Sequence, residues 1–237
     1  MTYSDYRRVA RENLRDNWGT SILVGAIAAL LGGLIIGSTF FPQFNFRIEG
    51  QDVSSISDVL NLFSAGAVSA FGLGSALGLA QFIIGGVIQL GYAQYLLNQY
   101  NRSHFDINNL FSKFEHFAQG FLQSFLRGLY IFLWGLLFII PGIIKSYAYA
   151  MTPFIMAENP DMTANEAITA SCELMDGHKS ELFMLDLTFI GWDLLAALTM
   201  NLGYLALNPY KNAAYAAFYK DITAPKTNSS TYYDAQY

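Results

Sequence analysis

Hydrophobic positions in this chain fall into long runs separated by polar turns, unlike the spaced pattern of a soluble core. The first run covers residues 18–41 and stops at Pro42. The second, 65–97, exceeds the roughly 20 residues that one membrane crossing needs, and its first half is dense in Gly66, Gly72, Gly74 and Gly78. A third, 121–140, breaks at Pro141-Gly142 and is followed by a short aromatic stretch, 143–157. A fifth, 181–200, carries two acids, Asp186 and Asp193, and a last segment with Pro209 lies beyond Asn201-Leu202-Gly203. Gly33 with Gly37, and Gly74 with Gly78, make small-xxx-small pairs that allow close helix approach.

Amphipathic segments precede these runs. In 3–18, Tyr3, Tyr6, Ala10, Leu14 and Trp18 share one face, with the arginines, Glu12 and Asp16 on the other. This predicts a helix in the headgroup region with Trp18 at the interface. A second is expected after residue 104, with Ile107, Leu110, Phe111, Phe114 and Phe117 on one side. A third opens on a capping box, Thr163 with Glu166, and puts Ala164, Ala167, Ile168, Ser171 and Met175 on one face before ending at Gly177.

The expected fold is therefore all-α, a polytopic helical membrane protein of about six transmembrane segments with three cytoplasmic interfacial helices. One membrane domain, 1–223, would hold three modules of surface helix plus hairpin, starting near residues 3, 104 and 163, and 224–237 would be a disordered tail. Arg7, Arg8, Arg11 and Arg15 place the N-terminus in the cytoplasm, and the loop 42–63, with Glu49, Asp52 and Asp58 against Arg47, outside. Six spans put both termini inside. The alternative has four spans (18–41, 65–97, 121–144 and 182–205) and moves the helix near 160–180 outside. The first run is too long for a signal-peptide core, and no Ala-x-Ala site follows it.

Composition agrees with a membrane location. Hydrophobic residues are 53% and charged residues 13%, against roughly 25% charged in soluble domains. The net charge of −5 and the lack of a basic block argue against nucleic acid as a partner. A single cysteine, Cys172, excludes an internal disulfide, and His104, His116 and His178 are too scattered for a metal site. No nucleophile elbow, zinc-protease or phosphate-loop signature occurs, so neither an enzyme nor a cofactor is expected.

Ionisable residues inside a span cost at least ~2.5 kcal/mol if unpaired, which makes them the polar candidates. Asp186 and Asp193 lie seven apart and share a helix face. Matching depth predicts two pairs, Asp186 with Arg127 and Asp193 with Lys145. The alternatives are that these residues only hold the bundle together, or that the acids cap polar backbone beside the Pro141-Gly142 break. Lipid-headgroup candidates are His178 and Lys179, where a phosphate would fit, with Arg11, Arg15 and Trp18. The abundant Phe and Tyr read as lipid-facing and interfacial surface.

Several short motifs resemble a bacterial family of membrane proteins called domain of unknown function 975. They are Ala10-Arg11-Glu12-Asn13-Leu14 with Asn17-Trp18-Gly19, Leu110-Phe111-Ser112-Lys113-Phe114, and Ile140-Pro141-Gly142-Ile143-Ile144-Lys145-Ser146-Tyr147. Gly177-His178-Lys179, Phe189-Ile190-Gly191-Trp192, Asn208-Pro209-Tyr210 and Phe218-Tyr219 continue the likeness. The resemblance implies a multi-pass bacterial protein and brings no catalytic residues. The functional expectation is a non-enzymatic membrane scaffold, sensor or accessory protein in the cytoplasmic membrane, with the bilayer as partner and any protein partner unidentified. The alternative is a small-solute or ion transporter using Asp186 and Asp193; a lipid-acting enzyme comes third.

Overall fold

The computed structural model describes residues 2–15, 17–32, 76–199 and 202–224. Every regular element among them is helical. The glycine pair Gly33/Gly37, Gly74 of the second pair, the loop 42–63 and the tail from 225 lie outside the described residues.

Helix α1, Tyr3–Leu14, starts where the Thr2 backbone and hydroxyl both donate to Asp5, at 2.9 and 2.6 Å. Its apolar face is the expected one, and Tyr6, Ala10 and Leu14 are buried. The surface that this face covers is another helix. Helix α1 packs on the last helix, α10 (Tyr204–Thr223), where Tyr6 meets Phe218 edge to face with ring centroids 5.4 Å apart. Burial of Tyr6 and Leu14 contributes on the order of 1.5–3 kcal/mol each.

Helix α2, Trp18–Gly32, runs antiparallel to α3, Ala76–Tyr100. Ser21 meets Tyr95 (3.1 Å) and Gln99 (2.8 Å) at one end, and Gln81 donates to the Leu30 carbonyl at the other. Gly91 sits against the Leu110 carbonyl and Gly86 against Gly120, close approaches that no Cβ would permit.

The second expected amphipathic helix does not form. Residues 107–110 and 114–116 are two short 3-10 turns, the first capped by Asp106 on the Ile107 N–H at 2.6 Å. At three residues per turn, side chains three apart eclipse one another. Phe111, Phe114 and Phe117 therefore form an exposed ladder with ring centroids 5.8 and 6.5 Å apart, and Leu110 alone is fully buried.

Helix α4, Phe117–Leu137, ends one turn before Pro141, whose ring excludes the carbonyl four residues earlier, that of Leu137. Phe138 takes an extended conformation, and α5, Ile139–Ala148, folds back on α4 with Pro141 in its first turn. The break thus falls just ahead of Pro141-Gly142, and 143–157 turns back as expected. It bends again before α6, Thr152–Glu158, in which residues 152–157 are all buried.

Helix α7, Ala164–Leu174, has its capping box: the Thr163 N–H donates to Glu166 at 2.8 Å and the Glu166 N–H to the Thr163 hydroxyl at 3.4 Å. Ala164, Ala167, Ile168 and Ser171 are buried, but against α4 and α6. Gly177 (φ 81°) makes the turn into α8, Lys179–Leu187, a left-handed conformation that glycine adopts without steric cost. Thr188-Phe189 offsets α8 from α9, Ile190–Leu198, after which α10 returns antiparallel with Gly203 against Ala196.

Three hairpins thus open in one direction: α2/α3, α4/α5 and α8–α9/α10. The other end holds α1, α6, α7 and the C-terminal half of α10. There Tyr219 donates to Glu158 (2.8 Å) and Lys220 pairs with the same acid. Ile107–Leu137, counted through its opening turns, is the one helix among the described residues long and apolar enough to cross a membrane by length and composition.

Candidate functional site

The acids of α8 and α9 are the starting point. Leu182, Leu185 and Phe189 bury one side of this helix pair, which leaves Asp186 partly buried at its edge. The offset at Thr188 is closed locally: its hydroxyl donates to the Leu185 carbonyl at 2.7 Å, and the Asp193 N–H still bonds the Phe189 carbonyl at 2.9 Å. The two acids therefore keep a common face, and that face meets α10.

Asp186 accepts a hydrogen bond from Tyr147 of α5 at 2.9 Å and a second from Tyr215 of α10. Tyr147 is fixed in turn by an edge-to-face contact with Phe183, centroids 5.9 Å apart. Asp193 pairs with Lys211 of α10 at 3.1 Å, the two side chains 20% and 12% exposed. The same ammonium lies 5.8 Å from the centre of the Phe189 ring, and Tyr204 donates to the Asp193 carbonyl at 3.2 Å. Lys211 and Tyr215 are one helical turn apart, so a single stripe of α10 serves both acids.

Neither expected pair forms. Arg127 turns to α3 and donates to Gln89 at 3.2 Å. Lys145 lies over the Trp134 ring, 5.1 Å from its centre, and 6.0 Å from that of Tyr149. The cause is lateral: α5 packs on both α4 and α8, so Arg127 on α4 faces a different neighbour from Asp186. The alternative in which the acids cap backbone beside Pro141-Gly142 fails as well, since side-chain hydroxyls and an ammonium hold them.

Tyrosines were the missed residues. Tyr6, Tyr95, Tyr147, Tyr215 and Tyr219 are buried, and the surface role expected for the aromatic residues fails for them. Each hydroxyl has an internal partner, such as Tyr6 to Asp221 at 2.6 Å. A tyrosine placed one turn from a lysine on the last helix was the available signal. Buried polar groups otherwise cost stability, and four of these phenols are matched to acids while Tyr95 meets the Ser21 hydroxyl. Burial and the Asp221 carboxylate push the Tyr6 phenol well above its ordinary range.

The headgroup candidates divide. His178 lies 3.0 Å from Glu181 and Lys179 lies 3.3 Å from Asp176, so a phosphate there would have to displace both carboxylates. Arg11, Arg15 and Trp18 instead line an open groove with Arg8 and Glu12. Among the described residues no group of three or more His, Cys, Asp or Glu could hold a metal ion. Cys172 is a free thiol, partly buried on α7, and burial raises it.

A family described as protein of unknown function (DUF975) matches residues 136–226, so the chain resembles that family. The matched range contains Tyr147, Asp186, Asp193, Lys211 and Tyr215 and begins after Arg127 and the α1 arginines. The motifs at 10–19 and 110–114 also precede it. No curated protein and no solved structure matches the chain.

Proposed function

We propose that this chain is a polytopic protein of the cytoplasmic membrane, with both termini inside, that acts as a scaffold or accessory protein and not as an enzyme. The observation that carries the reading is the placement of exposed apolar side chains. Apart from Tyr3 and the Phe111–Phe114–Phe117 ladder, the large ones lie along the hairpins: Leu30 at 62% exposure, Phe138 at 69%, Ile140 at 71%, Leu198 at 74% and Leu202 at 69%. An apolar surface this continuous marks a membrane or a partner, and lipid accounts for all three hairpins at once. The charged surface gathers at the opposite end.

Six helical arms then enter the bilayer: α2, α3, α4, α5, α8 with α9, and the first half of α10. The acids support a structural role. Asp186 is engaged by two phenols and Asp193 by an ammonium, so the polar groups close on one another between helices and tie α5, α8, α9 and α10 together.

Single cysteines on a Cys172→Ser background test this reading. Glu12→Cys, Glu115→Cys and Asp161→Cys are expected to react with an impermeant maleimide only from the cytoplasmic side, and Leu202→Cys only from the other. Labelling of Asp161→Cys from outside would sink the six-arm topology. Release of the protein from membranes by alkaline carbonate would sink the membrane reading altogether. Purified protein in sealed vesicles is expected to pass no protons or small ions above the empty-vesicle rate. A flux present in the wild type and abolished in Asp186→Asn would establish transport instead.

A further inference from the structure

We infer that the groove between α1 and the start of α2 binds the phosphate of an anionic phospholipid, held by Arg11 and Arg15 with Trp18 at its rim. The inference deepens the membrane reading above and rests on it. The groove is open, about 350 Å³, and is lined by Arg8, Arg11, Glu12, Arg15 and Trp18. The lining sets three arginines against one acid, Glu12, a net charge of +2. Arg8 lies 3.0 Å from Asp5 and 3.9 Å from Glu12, which leaves Arg11 and Arg15 outside that cluster. Among the described residues no carboxylate lies within ion-pair distance of Arg11 or Arg15. Two like charges one helical turn apart repel, and an anion between them converts the repulsion into binding. Guanidinium groups present forked donors that match phosphate oxygens.

Two further features set the ligand class. Trp18 is the first residue of α2, whose opening N–H groups have no partner within the helix, so the partial positive charge of that terminus adds to the arginines. Trp18 is also anchored, its ring 6.4 Å from that of Tyr210. Beyond it α2 exposes Leu23 at 55% and Leu30 at 62%. Leu23 begins about 7 Å farther along the helix axis. The two leucines share a face turned roughly 120–140° about α2 from Trp18, so the acyl chains of a headgroup in the groove would pass around the helix to reach it. A free phosphate would use the arginines and leave that face unused, which is why the lipid is the assigned occupant.

The test uses the full chain in neutral detergent, with Trp134→Phe and Trp192→Phe so that Trp18 alone reports. Dioctanoyl phosphatidylglycerol is expected to change the emission saturably and dioctanoyl phosphatidylcholine to leave it unchanged. Arg11→Gln with Arg15→Gln should weaken the phosphatidylglycerol response at least tenfold, and added salt should weaken it in the wild type. Both arginines are exposed, so thermal unfolding of the double variant should match its parent. Arg8→Gln should change binding little. An equal response to phosphatidylcholine, or an unchanged response in a folded double variant, would overturn the site. Inorganic phosphate matching phosphatidylglycerol would overturn the lipid and leave a free-anion site. Binding in detergent needs no bilayer topology and cysteine labelling needs no lipid site, so the two readings fail separately.

Discussion

Tyr215 of α10 donates a hydrogen bond to Asp186 of α8, joining the last helix to the acid-bearing one within the same stripe that presents Lys211 to Asp193. Hydrogen bonds to a charged group contribute about 1.5–3 kcal/mol. Tyr215→Phe and Tyr147→Phe should each lower the thermal stability of the detergent-solubilised protein by about that much. In an Asp186→Ala background both effects should fall toward zero, because both hydroxyls act through one carboxylate. Additive losses in that background would refute the shared role.

The Asp193–Lys211 pair gives a sharper contrast. Lys211→Ala strands a largely buried carboxylate and should cost about 3 kcal/mol. Pairing Lys211→Gln with Asp193→Asn should recover most of the loss. A double-mutant cycle between Lys145 and Asp193 should give a coupling near zero, since Lys145 rests on the Trp134 ring. A large coupling in that cycle would restore the pairing expected from depth.

Glycines in the hairpins should differ sharply. A Cβ at Gly142 would lie 2.8 Å from the Gly135 Cα, whereas one at Gly135, Gly19 or Gly191 meets nothing within 4 Å. Gly142→Ala should therefore destabilise by about 1–3 kcal/mol through overpacking. Gly19→Ala and Gly191→Ala should be neutral or mildly stabilising. Equal behaviour in thermal melts would contradict the close approach of α5 to α4.

The capping box carries a pH signature. Hydrogen bonds from the Thr163 backbone, then from its side chain, hold the Glu166 carboxyl below its ordinary value of 4.5. A lowered folded-state value means the contribution is complete above the unfolded value and fades as pH drops through the folded one. The stability difference between wild type and Glu166→Gln should be flat above about pH 5 and shrink on acidification. Thr163→Ala should cost about 1 kcal/mol at neutral pH. A Glu166–Gln difference that grows in acid would be the wrong sign.

Local spacing was readable in the sequence and lateral placement was not. Thr163 with Glu166, and the buried face from Ala164 to Met175, follow from contacts three and four residues apart. The turn-back after α4 follows from one proline ring. Phe111, Phe114 and Phe117 fit both a 3.0 and a 3.6 period over so short a stretch, and the close packing of Leu110 on Gly91 decided for the tighter one. Depth ranked Arg127 and Lys145 as partners for the acids because depth is all that hydropathy supplies. Which helices adjoin depends on packing, and there α5 stands between α4 and α8. Lys211 and Tyr215 were passed over because partners for the acids were sought at matching depth on the third span and the stretch after Pro141-Gly142.

The contact between α1 and α10 sets an order on the making of the protein. Tyr6 and its partner Asp221 stand 215 residues apart. At synthesis rates of roughly 5–20 residues per second, about ten to forty seconds separate them on the ribosome. Helix α1 is thus covered long after its own synthesis, and Tyr6, Ala10 and Leu14 stay open until α10 arrives. A product truncated before Phe218 would leave Tyr6 without its ring contact and its hydrogen-bond partner.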